Sequence, residues 1–368
     1  MSNPRFGIYV SPLGMNWGTP TQNSSINGNS TNTRSDVSAI VDDVIGEIGS
    51  TSTYQFTDIF LWLIHYPSPS SPYGKSHPTY LTWNGTPFEG YTTPSGDEWG
   101  LTPGLPSKFK TLRDAGVNLL VSIGGWNGAD NFAKIKQAGI RDFVIYLTEG
   151  ILEPYNLNGI NIDLEPGDEG PGWSAVYQEY GQTIVDLSNA LAAKGYVVTH
   201  TPANGLSTQF YSQSCPGLAN DQPILEATYV NGKQSISYLN VQYYAGGDPL
   251  GTSTGVQDYI ALANTLAGIQ NSTGVNNPAE FLMAGFSPCI QDPNYPSGSE
   301  PLSGTPPQSA SCPSQTVVLD FLQQLATTYS GGFGGAFYWI YQYYNAQQAG
   351  KANQASAWEQ MASAIGQS

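Results

Sequence analysis

Residues 158 to 165 read Asn-Gly-Ile-Asn-Ile-Asp-Leu-Glu, and this run carries the strongest signal in the chain. Ile and Leu occupy the even positions from 160, while Asn161, Asp163 and Glu165 occupy the odd ones. Because side chains alternate between the two faces of a β-strand, the three polar groups share one face of a predicted strand. Left unpaired at the mouth of a buried strand, each would cost on the order of 1–3 kcal/mol. The pattern favours a chemical site over the alternative, a surface strand whose acids are merely solvated.

Short β-branched and aromatic runs alternate with helical patterns along the chain, which is typical of βαβ units. Eight strands are predicted, at residues 6–10, 58–64, 118–123, 159–165, 196–201, 238–244, 280–286 and 335–340. Helices are predicted at residues 36–48, 106–115, 132–148, 173–193, 255–266 and 316–329. Eight parallel strands with crossover helices close most economically into a (β/α)8 barrel, whose active site lies at the carboxyl ends of the strands. Glu165 falls at such an end.

Two segments exceed ordinary loop length. They are residues 66–106, after predicted strand 2, and residues 288–313, after predicted strand 7, and both are rich in Pro, Gly, Ser and aromatic residues. We expect these loops to wall a binding cleft. Because α/β barrels of about 250 residues or more commonly form one domain, a single (β/α)8 domain over residues 1–368 is expected.

The composition limits the classes of ligand. Only 12 Lys and Arg stand against 28 Asp and Glu, for a formal net charge of −16, so nucleic acid and anionic membrane surfaces are excluded as partners. The charged fraction is only 11%, and the many hydroxyl, amide and aromatic groups suit a neutral polar ligand such as a glycan. The three histidines lack the spacing of metal ligands, and phosphate-loop and dinucleotide motifs are absent, so neither metal nor cofactor is expected.

Signals for the location of the chain are weaker. No apolar run approaches the roughly 20 residues of a membrane-spanning helix, and the first residues do not resemble a signal peptide. Asn-x-Ser/Thr sequons occur at Asn23, Asn29, Asn84 and Asn271. They favour an extracellular protein in its mature form, with a cytoplasmic protein as the alternative. Cys289 and Cys312 flank the second long loop and would form a disulfide across it, leaving Cys215 unpaired.

Four segments carry motifs with a family resemblance. Predicted strand 3 contains Ser122-Ile123-Gly124-Gly125, and strand 4 contains Asp163-Leu164-Glu165. Strand 6 contains Val241-Gln242-Tyr243-Tyr244, and strand 8 contains Gly334-Gly335-Ala336-Phe337-Tyr338-Trp339. In order and spacing they resemble the Ser-x-Gly-Gly, the end of the Asp-Gly-x-Asp-x-Asp-x-Glu, the Gln-x-Tyr-Asn and the final Trp-bearing strand of glycoside hydrolase family 18. This family comprises chitinases and chitinase-like proteins, and the resemblance is nearest to the compact plant and fungal type.

The resemblance implies retaining hydrolysis of β-1,4-linked N-acetylglucosamine, with the substrate's own acetamide as nucleophile. Glu165 would be the general acid and base, with a pKa raised by the charge of Asp163. Asp163 would orient the acetamido group, and Tyr244 would donate its hydroxyl to the acetamide oxygen. The residues implied to bind the substrate are Asn161, Gln242, Trp339, Gly124, Gly125 and Trp126. The expected partner is an N-acetylglucosamine polymer or oligosaccharide, and the chain is expected to act as a monomer.

Three positions depart from the family pattern. Asn158 and Asn161 stand where the family has Asp, and Ala245 stands where it has Asn or Asp. An amide at position 161 removes the coupling between two close carboxyl groups and is expected to hydrogen-bond to Asp163. Asp163 is then expected to stay ionised, with the acidic limb of kcat/KM near an ordinary Asp pKa of about 4.

Two other functions stay open. One is a chitinase-like lectin that binds N-acetylglucosamine glycans without cutting them, which the substitutions at Asn161 and Ala245 favour. The other is an endo-β-N-acetylglucosaminidase that acts on the core of N-glycans with the same Asp-x-Glu pair.

Overall fold

Eight parallel strands of the chain close into a barrel. The computed structural model describes residues 4–10, 45, 56–67, 69, 72–83, 85–92, 96, 98–101, 104–126, 128–166, 172–243, 255–286, 315–330, 332–339 and 358–367. The barrel strands are β1 (Arg5–Val10), β2 (Asp58–His65), β3 (Asn118–Gly125), β4 (Gly159–Leu164), β5 (Val197–His200), β6 (Tyr238–Gln242), β7 (Leu282–Phe286) and β8 (Gly335–Tyr338). Each pairs in parallel with its neighbours in chain order, and β8 pairs with β1 to close the ring. The predicted (β/α)8 barrel is confirmed.

Helices surround the strands. The longer ones are α1 (Leu105–Asp114), α2 (Ala129–Ala138), α3 (Ile140–Leu147), α4 (Trp173–Ala193), α5 (Gly255–Gly268) and α6 (Gln315–Thr328). Short helical segments are Pro72–Ser76, Thr148–Leu152, Asn204–Leu206, Ser207–Gln213, Ala219–Asp221, Ile224–Ala227, Gln270–Thr273, Pro278–Phe281 and residues 358–364. Within the described ranges, no helix combines the length and the apolar character needed to cross a membrane.

Short antiparallel strands decorate the barrel. Thr82–Trp83 extends the sheet beyond the end of β2 and pairs with Thr86–Pro87. Two small hairpins join Tyr91–Thr92 to Glu98–Trp99 and Tyr229–Val230 to Lys233–Gln234. The long segment after β2 therefore contains local structure of its own.

Two predicted elements differ from the structure. The single helix predicted over residues 132–148 is wrong, because Gly139 adopts a φ of +87° and separates α2 from α3. The strand predicted over residues 280–286 begins only at Leu282, since Pro278 starts a helical turn that runs to Phe281. Except for Ile45, the helix predicted at 36–48 lies outside the described residues, as does the loop predicted at 288–313.

A polar cluster closes the amino-terminal end of the barrel. Asp58 is fully buried there and accepts hydrogen bonds from Thr57 Oγ1 at 2.6 Å, Asn118 Nδ2 at 2.8 Å and Tyr238 OH at 2.5 Å. The Arg5 guanidinium lies 4.2 Å from the centroid of the Tyr238 ring. The three hydrogen-bond donors and the nearby cation compensate the buried carboxylate for its loss of hydration.

A second buried polar chain lies between β5 and α4. His200 is fully buried, with Nε2 2.8 Å from Ser188 Oγ and Nδ1 3.0 Å from Tyr211 OH. Ser188 Oγ donates its own proton to Ile184 O, so Nε2 carries the imidazole hydrogen and Nδ1 accepts from Tyr211. Burial lowers the pKa of His200 to about 3, and the imidazole is neutral in the fold.

Candidate active site

The two predicted catalytic carboxyl groups meet at the carboxyl end of β4. Asp163 lies in the strand and is 3% exposed, while Glu165 follows the strand and is half-buried. Gly124 of β3 is in register with Asp163 and has a φ of +119°. A Cβ atom at Gly124 would lie 1.9 Å from the Asp163 carbonyl oxygen. Gly124 was predicted to let the substrate approach the backbone. In the structure its missing side chain lets β4 lie close to β3, and this contact positions Asp163.

Gln242 joins the two carboxyl groups from the end of β6, two strands away from β4 in the barrel. Its Nε2 lies 3.1 Å from Asp163 Oδ1 and 2.9 Å from Glu165 Oε1, and it also donates to Thr201 O at 2.9 Å. The side chain is 4% exposed. One amide group with two hydrogens therefore serves three acceptors, two of them on the acids. This geometry makes Gln242 a clamp on the carboxyl pair.

Burial is the main cause that raises the pKa of both acids. For Asp163 the pKa is raised well above its ordinary value, with the Glu165 charge and a hydrogen bond to Glu165 acting in the same direction. For Glu165 burial raises the pKa, while the hydrogen bonds from Gln242 and Asp163 lower it. The expectation of an ordinary pKa for Asp163 is therefore wrong. The Asp163 charge is likewise not what raises the pKa of Glu165.

Asn161 lies two residues before Asp163 on the same face of β4 and is fully buried. Its Nδ2 donates to Tyr9 OH at 3.1 Å and to Ser122 Oγ at 2.9 Å. Its Oδ1 accepts from three donors at 2.7–3.0 Å, which are Thr199 Oγ1, Thr201 Oγ1 and Asn240 Nδ2. The expected hydrogen bond to Asp163 is replaced by these contacts, because the amide is saturated by the barrel interior. We call Asn161 and these five partners the Asn161 layer.

Aromatic side chains of β1, of β2 and of the residue directly after β8 pack together. Trp339 is 8% exposed, and its ring centroid lies 4.9 Å from that of Trp62 and 5.1 Å from that of Tyr9. A Cβ at Gly125 would lie 3.4 Å from Trp62 Nε1. Trp126 is 38% exposed. Tyr9 and Trp62 were not predicted, although aromatic residues near the ends of the first two strands are a signal that sequence reading could have used.

Other predicted residues lie elsewhere. Asn158 belongs to the closed end of the barrel, where its Nδ2 donates to Asn118 Oδ1 and its Oδ1 accepts from Leu119 N. Tyr244 and Ala245 fall outside the described residues, as do Cys289 and Cys312. Cys215 is a buried free thiol. Within the described part of the chain, no three His, Cys, Asp or Glu side chains cluster closely enough to hold a metal ion.

Known proteins resemble this chain in sequence or in fold. A probable class II chitinase of Arthroderma benhamiae is 28% identical over 185 residues, covering 43% of this chain and 52% of the relative, so the chain spans about half the length of that relative. A GH18 chitinase from Pseudoalteromonas aurantia superposes with a TM-score of 0.56 at 15% identity over 96% of this chain and 99% of that one. The chitinase ChiC from Aspergillus fumigatus superposes with a TM-score of 0.53 at 13% identity over 96% and 97% of the two chains.

At these identities the two superpositions establish the fold alone. The family follows from the sequence: residues 80–283, more than half of the chain, match the family described as Glycosyl hydrolases family 18. The match spans β3 to β6, which carry the acid pair and its clamp. With the predicted resemblance thus confirmed, the chain belongs to glycoside hydrolase family 18.

Proposed function

We propose that this chain hydrolyses β-1,4-linked N-acetylglucosamine with retention, using the acetamide of the substrate as the nucleophile. The observation that carries the proposal is the buried Asp163–Glu165 pair held by Gln242. Paired carboxyl groups with raised pKa values retain a proton for general acid catalysis under conditions where isolated carboxyl groups have lost theirs.

Glu165 is the proposed general acid and base. It is the more exposed of the two acids, so its proton is the one that a glycosidic oxygen in the cleft meets first. The Glu165 proton passes to the leaving oxygen as the C1–O bond breaks. After the product sugar departs, Glu165 takes a proton from the water that attacks C1, the bond between C1 and the acetamide oxygen breaks, and the starting state is restored.

Asp163 is the proposed partner of the acetamido group. Its buried carboxylate would accept the acetamide N–H and stabilise the positive charge that develops when the acetamide oxygen bonds to C1. Tyr244, two residues after Gln242 in the sequence, is proposed to donate its hydroxyl to the acetamide oxygen.

The aromatic group around Trp339 is the proposed floor for the sugar ring. Trp339 is packed by Trp62 and Tyr9 at centroid distances of about 5 Å, so its position is defined before any ligand binds. A rigid apolar surface beside the acids lowers the ordering cost of binding a pyranose ring.

A non-catalytic lectin is the second candidate, because Asn161 replaces one of the family's carboxyl groups. An endo-β-N-acetylglucosaminidase is the third. Incubation with chitotetraose and separation of the products tests all three: shorter N-acetylated sugars support the proposal, and tight binding of intact tetramer establishes the lectin. Release of glycans from a high-mannose glycoprotein, without cleavage of chitotetraose, establishes the endo-enzyme.

The acetamide requirement has its own control. Cellotetraose has the same β-1,4 linkage but carries hydroxyl groups in place of the acetamides, so it should be inert. Cleavage of cellotetraose at a comparable rate would show that the nucleophile belongs to the protein, and substrate assistance would then be wrong.

A further inference from the structure

Aromatic side chains gather on the segment that joins β2 to α1, outside the barrel. These side chains are related by ring contacts or by electrostatic effects on one another, and they are Tyr66, Tyr73, His77, Tyr80, Tyr91 and Tyr146. We call this set the Tyr80 surface. Five of its members lie on the segment itself, and Tyr146 belongs to α3.

The rings form a connected series. Tyr73 stacks on His77 at 4.9 Å between centroids, and the Tyr91 ring lies edge-on to both at 5.2 and 5.9 Å. His77 leads to Tyr80 at 5.5 Å, and Tyr80 leads to Tyr146 at 5.8 Å. Tyr146 OH accepts the backbone N–H of residue 81 at 2.7 Å, which ties the series to the barrel's outer helices.

Tyr66 places the surface at the mouth of the barrel, and its electrostatic effect on Tyr146 relates it to the series. Tyr66 follows the carboxyl end of β2 directly, and Asn131 of α2 accepts its backbone N–H at 3.0 Å. Lys134 Nζ lies 4.9 Å from the centroid of the Tyr66 ring. The Tyr80 surface therefore begins at the end of the barrel that holds Glu165 and extends away from it.

The surface is open at Tyr80, and the tyrosine hydroxyls behind it stay neutral. Tyr80 is 45% exposed, the largest value among the exposed large hydrophobic side chains of the described residues, while Tyr66, His77, Tyr91 and Tyr146 are half-buried. Burial raises the pKa of Tyr66 and of Tyr73 to about 12, so these hydroxyls stay neutral.

We propose that the Tyr80 surface is a second carbohydrate-binding site, which holds a stretch of chitin outside the catalytic cleft. This inference rests on the proposed function for the identity of the glycan. A pyranose ring presents C–H groups on its face and polar groups at its edge, and a tyrosine offers the complementary apolar face and polar hydroxyl. A neutral polymer suits a neutral aromatic series better than a charged ligand does. Because the series starts at the barrel mouth, a chain bound there is kept close to Glu165.

The test compares Tyr80→Ala with wild type on two substrates. On insoluble chitin, depletion of protein from solution at 4 °C should weaken about three- to tenfold, as expected for loss of one aromatic contact, and release of soluble sugars should fall in parallel. Turnover of soluble chitotetraose should stay within about twofold of wild type, because that substrate fits the cleft alone. Tyr80→Trp should restore adsorption, since the larger ring keeps the stacking face.

A matched control is Tyr196→Ala. Tyr196 is half-buried just before β5, at the opposite end of the barrel, and its removal should leave adsorption unchanged. Thermal melts of each variant check the fold. The proposal is overturned if wild type and Tyr80→Ala adsorb equally well, or if wild type does not adsorb to chitin at all. If the protein adsorbs to chitin in a Tyr80-dependent way but shows no turnover, the Tyr80 surface is supported as a binding site and the proposed hydrolysis is wrong.

Discussion

Asp163 and Glu165 form a hydrogen-bonded carboxyl pair in which burial raises the pKa of both members. Two contacting carboxylates resist losing both protons, so the pair titrates as a unit and keeps one proton above the range of an isolated acid. Asp163 faces Glu165 because Asn161 below it offers no free hydrogen-bonding group. The free protein therefore stores the proton that the proposed reaction uses.

Removing the acid while keeping its shape tests its role. Glu165→Gln should lower kcat by about 10²–10⁴-fold, because an amide cannot deliver a proton. Binding of chitotetraose should persist, since the amide keeps the size and polarity of the side chain. Glu153→Gln, at an exposed position beyond the barrel's closed end, should behave as wild type. A Glu165→Gln enzyme that keeps more than about a tenth of its turnover would place the acid elsewhere.

Removing the clamp should shift the pH dependence. Gln242 lowers the pKa of Glu165, so Gln242→Met should raise that pKa and move the limbs of the kcat/KM profile to higher pH. The wild-type acidic limb should itself lie above about 4, the ordinary value for Asp. Gln182→Met is the matched control, because Gln182 donates to the Asp186 carboxylate at 2.7 Å on the exposed face of α4. Superimposable profiles for wild type and Gln242→Met would contradict the clamp.

The contact between β3 and β4 should not tolerate a side chain at position 124. Gly124→Ala combines an unfavourable φ of +119° with a Cβ 1.9 Å from the Asp163 carbonyl oxygen, and we expect a loss of more than about 3 kcal/mol in the free energy of unfolding. Gly116→Ala isolates the backbone cost, because Gly116 has a φ of +90° and no atom within 4 Å of its Cβ position. That variant should lose only about 1 kcal/mol. Urea denaturation measures both, and equal losses would refute the steric argument.

His200 should make the fold sensitive to acid. Its pKa in the fold is about 3 against an ordinary value of 6.5, so below pH 6.5 the unfolded chain binds a proton that the folded protein refuses. Stability should fall by up to about 5 kcal/mol between about pH 6.5 and pH 3 from this residue. Urea midpoints measured across this window should decline more steeply for wild type than for His200→Gln. Parallel curves for wild type and His200→Gln would be incompatible with this account.

The strands could be predicted because each is a short run of β-branched or aromatic residues. The alternation of polar and apolar residues over 158–165 was sufficient to predict that Asp163 faces inward. The break at Gly139 was missed because an isolated glycine in a helical pattern is often tolerated, and only the φ of +87° reveals its role. The predicted strand also included residues 280 and 281 because of their β-strand propensity. In the structure these residues belong to a helical turn that begins at Pro278.

The meeting of Asp163, Glu165 and Gln242 at one end of the barrel could be predicted from the sequence, whereas their hydrogen bonds could not. Reading Asn161 as a free amide led to the expected contact with Asp163, because pairings across the barrel to Thr199 and Asn240 depend on registers that no local pattern encodes. The same limit hid the double contact of Gln242. Asn158 looked like a catalytic departure, yet its position at the closed end of the barrel makes it part of the structural support.

The Asn161 layer also lies between the two ends of the barrel interior. Its amides and aliphatic hydroxyls do not titrate, and Tyr9, whose pKa burial raises well above the ordinary value, stays neutral as well. Asp58 at the closed end and Asp163 at the mouth are therefore held by different partners, with a neutral layer between them. Substitutions around Asp58 should change the stability of the barrel while the hydrogen bonds that hold the acid pair stay in place. The closed end of the barrel is therefore open to redesign for heat resistance while the geometry of the acid pair is left alone.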